Sequence, residues 1–211
     1  MPYPTGHRAE VKKRIVQSAR RSFNRYGFDR ASLSQIMAGA GLTHGGFYSY
    51  FKSKSDLYAE VLGCFFTEPD WKSNWKGVHV DLKSSDAGQQ VVRAYLSRQH
   101  YEEVENTCPM TALPSDVARS GKSAKRAFEK VFKAMVGVLE HGQGNGRGPN
   151  RPSERARAQA IAALCVGGMV VARAMVSRAV EDELRDACTT VALQLGGWGL
   201  GANSTVTAPR R

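Results

Sequence analysis

The stretch from Leu33 to Lys54, LSQIMAGAGLTHGGFYSYFKSK, limits what this chain can fold into more than any other. Ser32 followed by Gln35 is a capping-box pattern and predicts a helix starting at Leu33. Leu33, Ile36, Met37 and Ala40 then share one face. Gly41 accepts a positive φ, which a sharp turn needs. Beyond it Thr43 is placed as an N-cap, with Leu42 and Phe47 at the N′ and N4 positions of a hydrophobic staple. The helix that begins there is short. Thr43, His44, Tyr48, Ser49 and Tyr50 supply its polar groups, and Phe47 and Phe51 its apolar anchors. Two crossed helices joined by a glycine-bearing turn form a helix-turn-helix, whose second helix is sized for a DNA major groove.

Three details set this stretch apart from an ordinary helical corner. Gly45 and Gly46 each cost a helix roughly 1 kcal/mol relative to Ala, and close approach to another surface would account for them. Ser32, Thr43 and Ser53 each open a helix, where free N–H groups suit phosphate. Lys54 falls in a first helical turn, a poor place for a cation beside the dipole but a useful one beside a phosphate. The candidate DNA-binding residues are therefore Thr43, His44, Gly45, Phe47 and Tyr48, with Ser32, Tyr50 and Lys54 positioning the backbone. His44 adds charge when protonated, so affinity is expected to rise mildly on acidification.

The run Ile36-Met37-x-x-Ala40-Gly41-Leu42-Thr43-x-Gly45-x-Phe47-Tyr48-x-Tyr50-Phe51-x-Ser53-Lys54-x-x-Leu57 resembles the DNA-binding signature of the tetracycline-repressor (TetR) family of bacterial regulators. The likeness runs from about Lys12 to Leu62; the rest matches in length and helical layout. Met37 departs from it, since the family usually has alanine against the recognition helix. The expected fold is all-α with about nine helices: a helix-turn-helix domain at 8–52, a helical ligand-binding and dimerisation domain at 53–200, and flexible tails at 1–7 and 201–211. The resemblance implies a homodimer formed through the last two helices, a double-stranded DNA operator and a small-molecule effector.

Charge supports the polyanionic partner. The chain carries +11, with a pI near 9.8, and residues 1–60 hold ten Lys and Arg against four Asp and Glu. The excess coincides with the helix-turn-helix. Cys64, Cys108, Cys165 and Cys188 lie far apart without C-x-x-C spacing, so no metal site is expected. The start shows no secretory signal, and the apolar run Ala158 to Ala172 is shorter than the ~18–20 residues of a membrane span. A cytoplasmic protein without membrane attachment or cofactor is expected. No G-x-S-x-G, P-loop or H-E-x-x-H motif appears, which weighs against an enzyme. A small-molecule-binding dimer that no longer reads DNA is countered by the intact basic first sixty residues.

Along the chain, a helix is predicted from about Ala9 to Tyr26, stopped by Gly27, with Lys12, Lys13, Arg14, Arg20, Arg21 and Arg25 on its outer face. Another begins after Ser53. Residues 69–86, with Trp71 and Trp75, read as an irregular connector. Helices follow from Ala87 to Tyr101, from Pro109 through Ala118, from Ala124 to Leu139, from Glu154 to Arg178, and from about Asp182 onward. HGQGNGRGPNRPS at 141–153 reads as a loop. Candidate ligand-lining residues are Tyr95, Gln99, Met110, Phe128, Phe132, Met135, Cys165 and Met169. Cys108 stands at a helix start, where the dipole lowers a thiol pKa; the alternative expectation is a repressor sensing electrophiles or oxidants through it. Glu102, Glu103 and Glu105 oppose that shift.

Overall fold

The computed structural model describes residues 6–64, 80–143 and 152–198. Trp71, Trp75, most of the 141–153 loop and the 201–211 tail fall outside them. The described residues form helices only. They are α1 (His7–Arg30), α2 (Leu33–Gly39), a 3₁₀ segment (His44–Ser49), α3 (Lys54–Cys64), α4 (Ala87–Tyr95), α5 (Arg98–Glu102), α6 (Pro109–Ala112), α7 (Pro114–Arg119), α8 (Lys122–Glu140), α9 (Glu154–Ala172) and α10 (Arg178–Gly196).

Eleven helical segments stand where about nine were expected, because two predicted helices are each broken. Leu96 caps α4, and Ser97 restarts the chain by accepting the His100 N–H at 3.2 Å while donating to Ala94 O. The helix opened by Pro109 stops at Leu113, where Pro114 brings no N–H to continue it. α1 begins earlier than predicted, at His7, and one helical turn follows the kink at Gly27, where φ is +75°. α9 ends at Ala172, six residues short of the predicted Arg178. Its length and composition are those of a membrane-crossing helix, although its inner residues pack into the protein core.

Two apolar clusters divide the interior. The head cluster joins Ile15, Phe23, Ile36, Met37, Phe47, Leu57 and Tyr58. It also takes in Leu113, Val117 and Ala124, so head packing continues past residue 53. The body cluster joins Val92, Tyr95, Met110, Met135, Leu139, Ile161, Cys165, Met169 and Leu193. Phe128 packs against both. Van der Waals contact across α3 and α8 therefore ties head to body without a separating linker.

Candidate nucleic-acid interface

The capping box forms as the sequence predicts. Ser32 Oγ accepts the Gln35 N–H at 3.1 Å, and Gln35 Oε1 accepts the Ser32 N–H at 3.3 Å. α2 closes on Gly41, whose φ of +70° lies in the left-handed region. Close approach of α2 to α1 depends on Gly39: a Cβ there would lie 2.5 Å from Ser18 Oγ, which donates to Ile36 O at 2.8 Å.

The second helix differs from expectation. It is a six-residue 3₁₀ turn rather than an α-helix, as suits a short segment carrying Gly45 and Gly46. Thr43 occupies the N-cap position without a side-chain capping bond. Phe47, counted among the DNA contacts, is 0% exposed; it stacks on Phe51 at 5.9 Å and anchors the segment from beneath. The polar residues turn outward. Thr43, His44, Gly45 and Ser49 are exposed, and Tyr48 is 65% exposed, with its ring edge-on to His44 at 6.5 Å.

The two glycines differ in their neighbours. A Cβ on Gly46 would stand 3.7 Å from Met37 Cε, an ordinary van der Waals contact, so packing against Met37 does not itself demand glycine there. A Cβ on Gly45 would meet nothing within 4 Å. Among the described residues, nothing requires glycine at position 45.

The expected backbone-positioning residues separate. Ser32 is exposed but engaged in its cap, and Tyr50 is half-buried beneath Arg8. Lys54, expected beside a phosphate, is engaged within the protein in the free chain. Its Nζ lies 4.7 Å from the Phe28 ring centre and donates to Asp29 O at 3.3 Å, capping the end of α1. Burial lowers its ammonium below the ordinary lysine value. The Ser53 cap is present, with Ser53 Oγ accepting the Asp56 N–H at 3.1 Å.

Sequence reasoning missed Arg8, which donates to Ser49 O at 2.6 Å and covers the Tyr50 ring at 5.2 Å. It thereby satisfies a carbonyl at the end of the 3₁₀ turn. The sequence placed it just ahead of the first predicted helix, whereas α1 begins at His7 and includes it. Arg20, read as an outer-face charge, is 6% exposed and its charge acts on the Cys108 thiol.

In the body, Tyr95, Met110, Met135, Cys165 and Met169 meet in one buried cluster, with Phe128 and Phe132 against it. Gln99 does not join them: it is exposed on the short α5. Cys108 caps α6 as predicted, but it is 0% exposed and burial pushes its thiol up to about 11. A four-residue helix offers little dipole against that desolvation, so the site lacks the exposed, thiolate-favouring surroundings of a reactive cysteine. Among the described residues, no group of His, Cys, Asp and Glu is arranged to hold a metal ion.

Residues 15–61 match the family model for bacterial regulatory proteins of the tetR family. The uncharacterized HTH-type transcriptional regulator YdgC of Bacillus subtilis is 39% identical over 85 residues, 40% of this chain and 44% of that protein. The HTH-type transcriptional regulator AcrR of Shigella flexneri is 40% identical over 52 residues, 25% of this chain and 24% of that protein. The chain thus aligns with less than half the length of these curated relatives. In fold, it resembles a TetR-family transcriptional regulator from Agrobacterium tumefaciens, with a TM-score of 0.61 and 21% identity over 88% of this chain and 98% of that one. Residues 15–61 thus carry the sequence of a tetR-family DNA-binding head, and nearly nine-tenths of the chain shares the fold of a solved TetR-family regulator.

Proposed function

We propose that this protein is a dimeric, DNA-binding transcriptional regulator of the cytoplasm, a repressor released from a palindromic operator by a small molecule. The observation that carries the reading is the outward set Thr43, His44, Gly45 and Tyr48, held on one short turn by the buried Phe47. These residues meet base edges and adjacent phosphates; Ser32 and Tyr50 fix the local backbone. The open space at Gly45 is what a glycine facing a DNA backbone would leave. In this reading residues 8–52 read the operator, and 53–200 pair the chains and receive the effector.

Pairing is assigned to α9 and α10. An apolar groove of about 470 Å³ runs between them, lined by Ala160, Ala163, Leu164, Gly167, Gly168, Val171, Leu184 and Cys188. Val171 is 47% exposed, and Val170, Met175, Val180 and Val191 are also exposed in the single chain. A Cβ on Gly168 would lie 2.7 Å from Cys188 Sγ, which keeps the helices close, whereas Gly167 faces open space. A second copy covering this face would create a two-fold pair of heads.

The effector site is assigned to the body cluster around Tyr95, Met110, Met135, Cys165 and Met169, opened between Phe128 and Phe132. A molecule entering there displaces Phe128, which also packs against the head. It would favour a state whose heads are wrongly spaced for DNA, and so shift the population off the operator. The test is a gel-shift titration on the gene's own upstream region across salt concentrations. A steep fall in affinity with salt is expected from phosphate neutralisation; no binding at low salt would leave only a small-molecule-binding dimer.

A further inference from the structure

The head is attached to the body in two ways. One is apolar, where α3 packs along α8. The other is polar and runs through α1. Asn24 Nδ2 donates to the carbonyls of Glu105 at 2.9 Å and Thr107 at 3.0 Å. Arg25 pairs with Glu105 at 2.8 Å, and Asp116 Oδ2 accepts the Phe28 N–H at 2.8 Å, just past the Gly27 kink.

The segment between α5 and α6 that carries Glu105 and Thr107 is also gripped by Arg173, the C-cap residue of α9. Its Nη2 donates to the carbonyls of His100 at 2.7 Å, Tyr101 at 3.2 Å and Glu103 at 3.1 Å, and to Thr107 Oγ1 at 3.3 Å. Thr107 is wholly buried and held on both flanks. Its hydroxyl meets Arg173 and His100 Nε2, the latter at 2.6 Å, while its carbonyl meets Asn24. The end of a pairing helix and the first helix of the head are thus joined through one residue.

Apolar packing is non-directional and leaves sliding or rotation of α3 against α8 comparatively soft. Hydrogen bonds have a preferred direction and length, so a double-sided clamp removes that freedom. We infer that Asn24 and Thr107 are positioning residues for operator reading: they fix the angle of each head relative to the α9–α10 pairing face, and so the separation of the two recognition turns. Neither residue contacts DNA. The inference rests on the proposed DNA-binding reading.

The full-length wild type, Asn24→Ala and Thr107→Val are compared on a duplex that the wild type selects from a random-sequence pool. Copies of that duplex gain or lose central base pairs, and another retains a single half-site. Wild type should favour its selected spacing by roughly tenfold or more over the altered copies, because half-site separation is a rigid geometric demand. Both variants should flatten that preference to within about threefold, while affinity for the single half-site stays unchanged, since the base-reading face is intact. Parallel loss of affinity at every spacing, with the wild-type preference preserved, overturns the inference. Absence of any wild-type complex overturns the DNA reading beneath it, a distinguishable result. Asn24 is half-buried, so its alanine variant keeps the test decisive if Thr107→Val does not fold.

Discussion

The recognition turn and the α9–α10 face are both exposed, and they are built on opposite principles. The turn is short, glycine-bearing and polar on its outer side, with one buried phenylalanine beneath it. Its intrinsic stability is low and its partner must supply polar contacts. The α9–α10 face is made of long helices with a lining of alanine, glycine, leucine and valine. Its helices are well formed, and its partner need only exclude water. One surface is suited to sequence-dependent, reversible contact and the other to lasting association. In the proposed reading, a regulator built this way would keep its pairing while it changes its hold on DNA.

The largest effect should come from the apolar face. Val171→Asp puts a charge where a second copy would bury it. We expect monomers in analytical ultracentrifugation and a loss of duplex affinity of roughly 10²-fold or more as bivalency disappears. Dimers that persist unchanged would remove this face from the assembly. A sharper contrast comes from Gly45→Ala. The free protein has room for the methyl group, so thermal stability should hold or rise by up to about 1 kcal/mol. Duplex affinity should nevertheless fall by about tenfold as close approach is lost. Equal affinity for the two proteins would mean that Gly45 faces solvent in the complex.

The head was legible in the sequence because its signals are local. Ser32 caps Gln35, Gly41 turns the chain, and Ser53 caps Asp56, all within a few residues. What the sequence hid depends on distant partners. Asn24 meets Thr107 across 83 positions, and Lys54 turns back onto Phe28 and Asp29 instead of facing outward. Phe47 sits among polar neighbours in sequence, yet three-dimensional packing places it wholly inside. Gln99 follows the opposite course: the break at Ser97 starts a new helix and leaves it outside the body core. Pro114 was a readable signal for the other break.

Smaller effects concern the body. His100 is buried, and desolvation lowers its pKa from 6.5 to about 3. Between those values the unfolded chain binds a proton that the folded protein does not. Stability should therefore fall as pH drops through that window, by at most about 1.4 kcal/mol per pH unit from this group. His100→Gln should flatten that part of a denaturation-versus-pH profile; an unchanged slope would place the loss elsewhere. The smallest effect is expected at Cys108. Its folded-state alkylation by a maleimide should be far slower than that of the half-buried Cys64 and Cys188. Cys108→Ser should leave the operator response to alkylation unchanged, and a lost response would restore thiol sensing.

The paired presentation of two recognition turns is tested most directly by hydroxyl-radical footprinting of the protein on its selected duplex. Two symmetric protected patches are expected, about 34–36 Å or a multiple of that apart along one face of the DNA, and both should vanish together in Val171→Asp. A single patch of wild-type strength that survives in that variant would contradict the account.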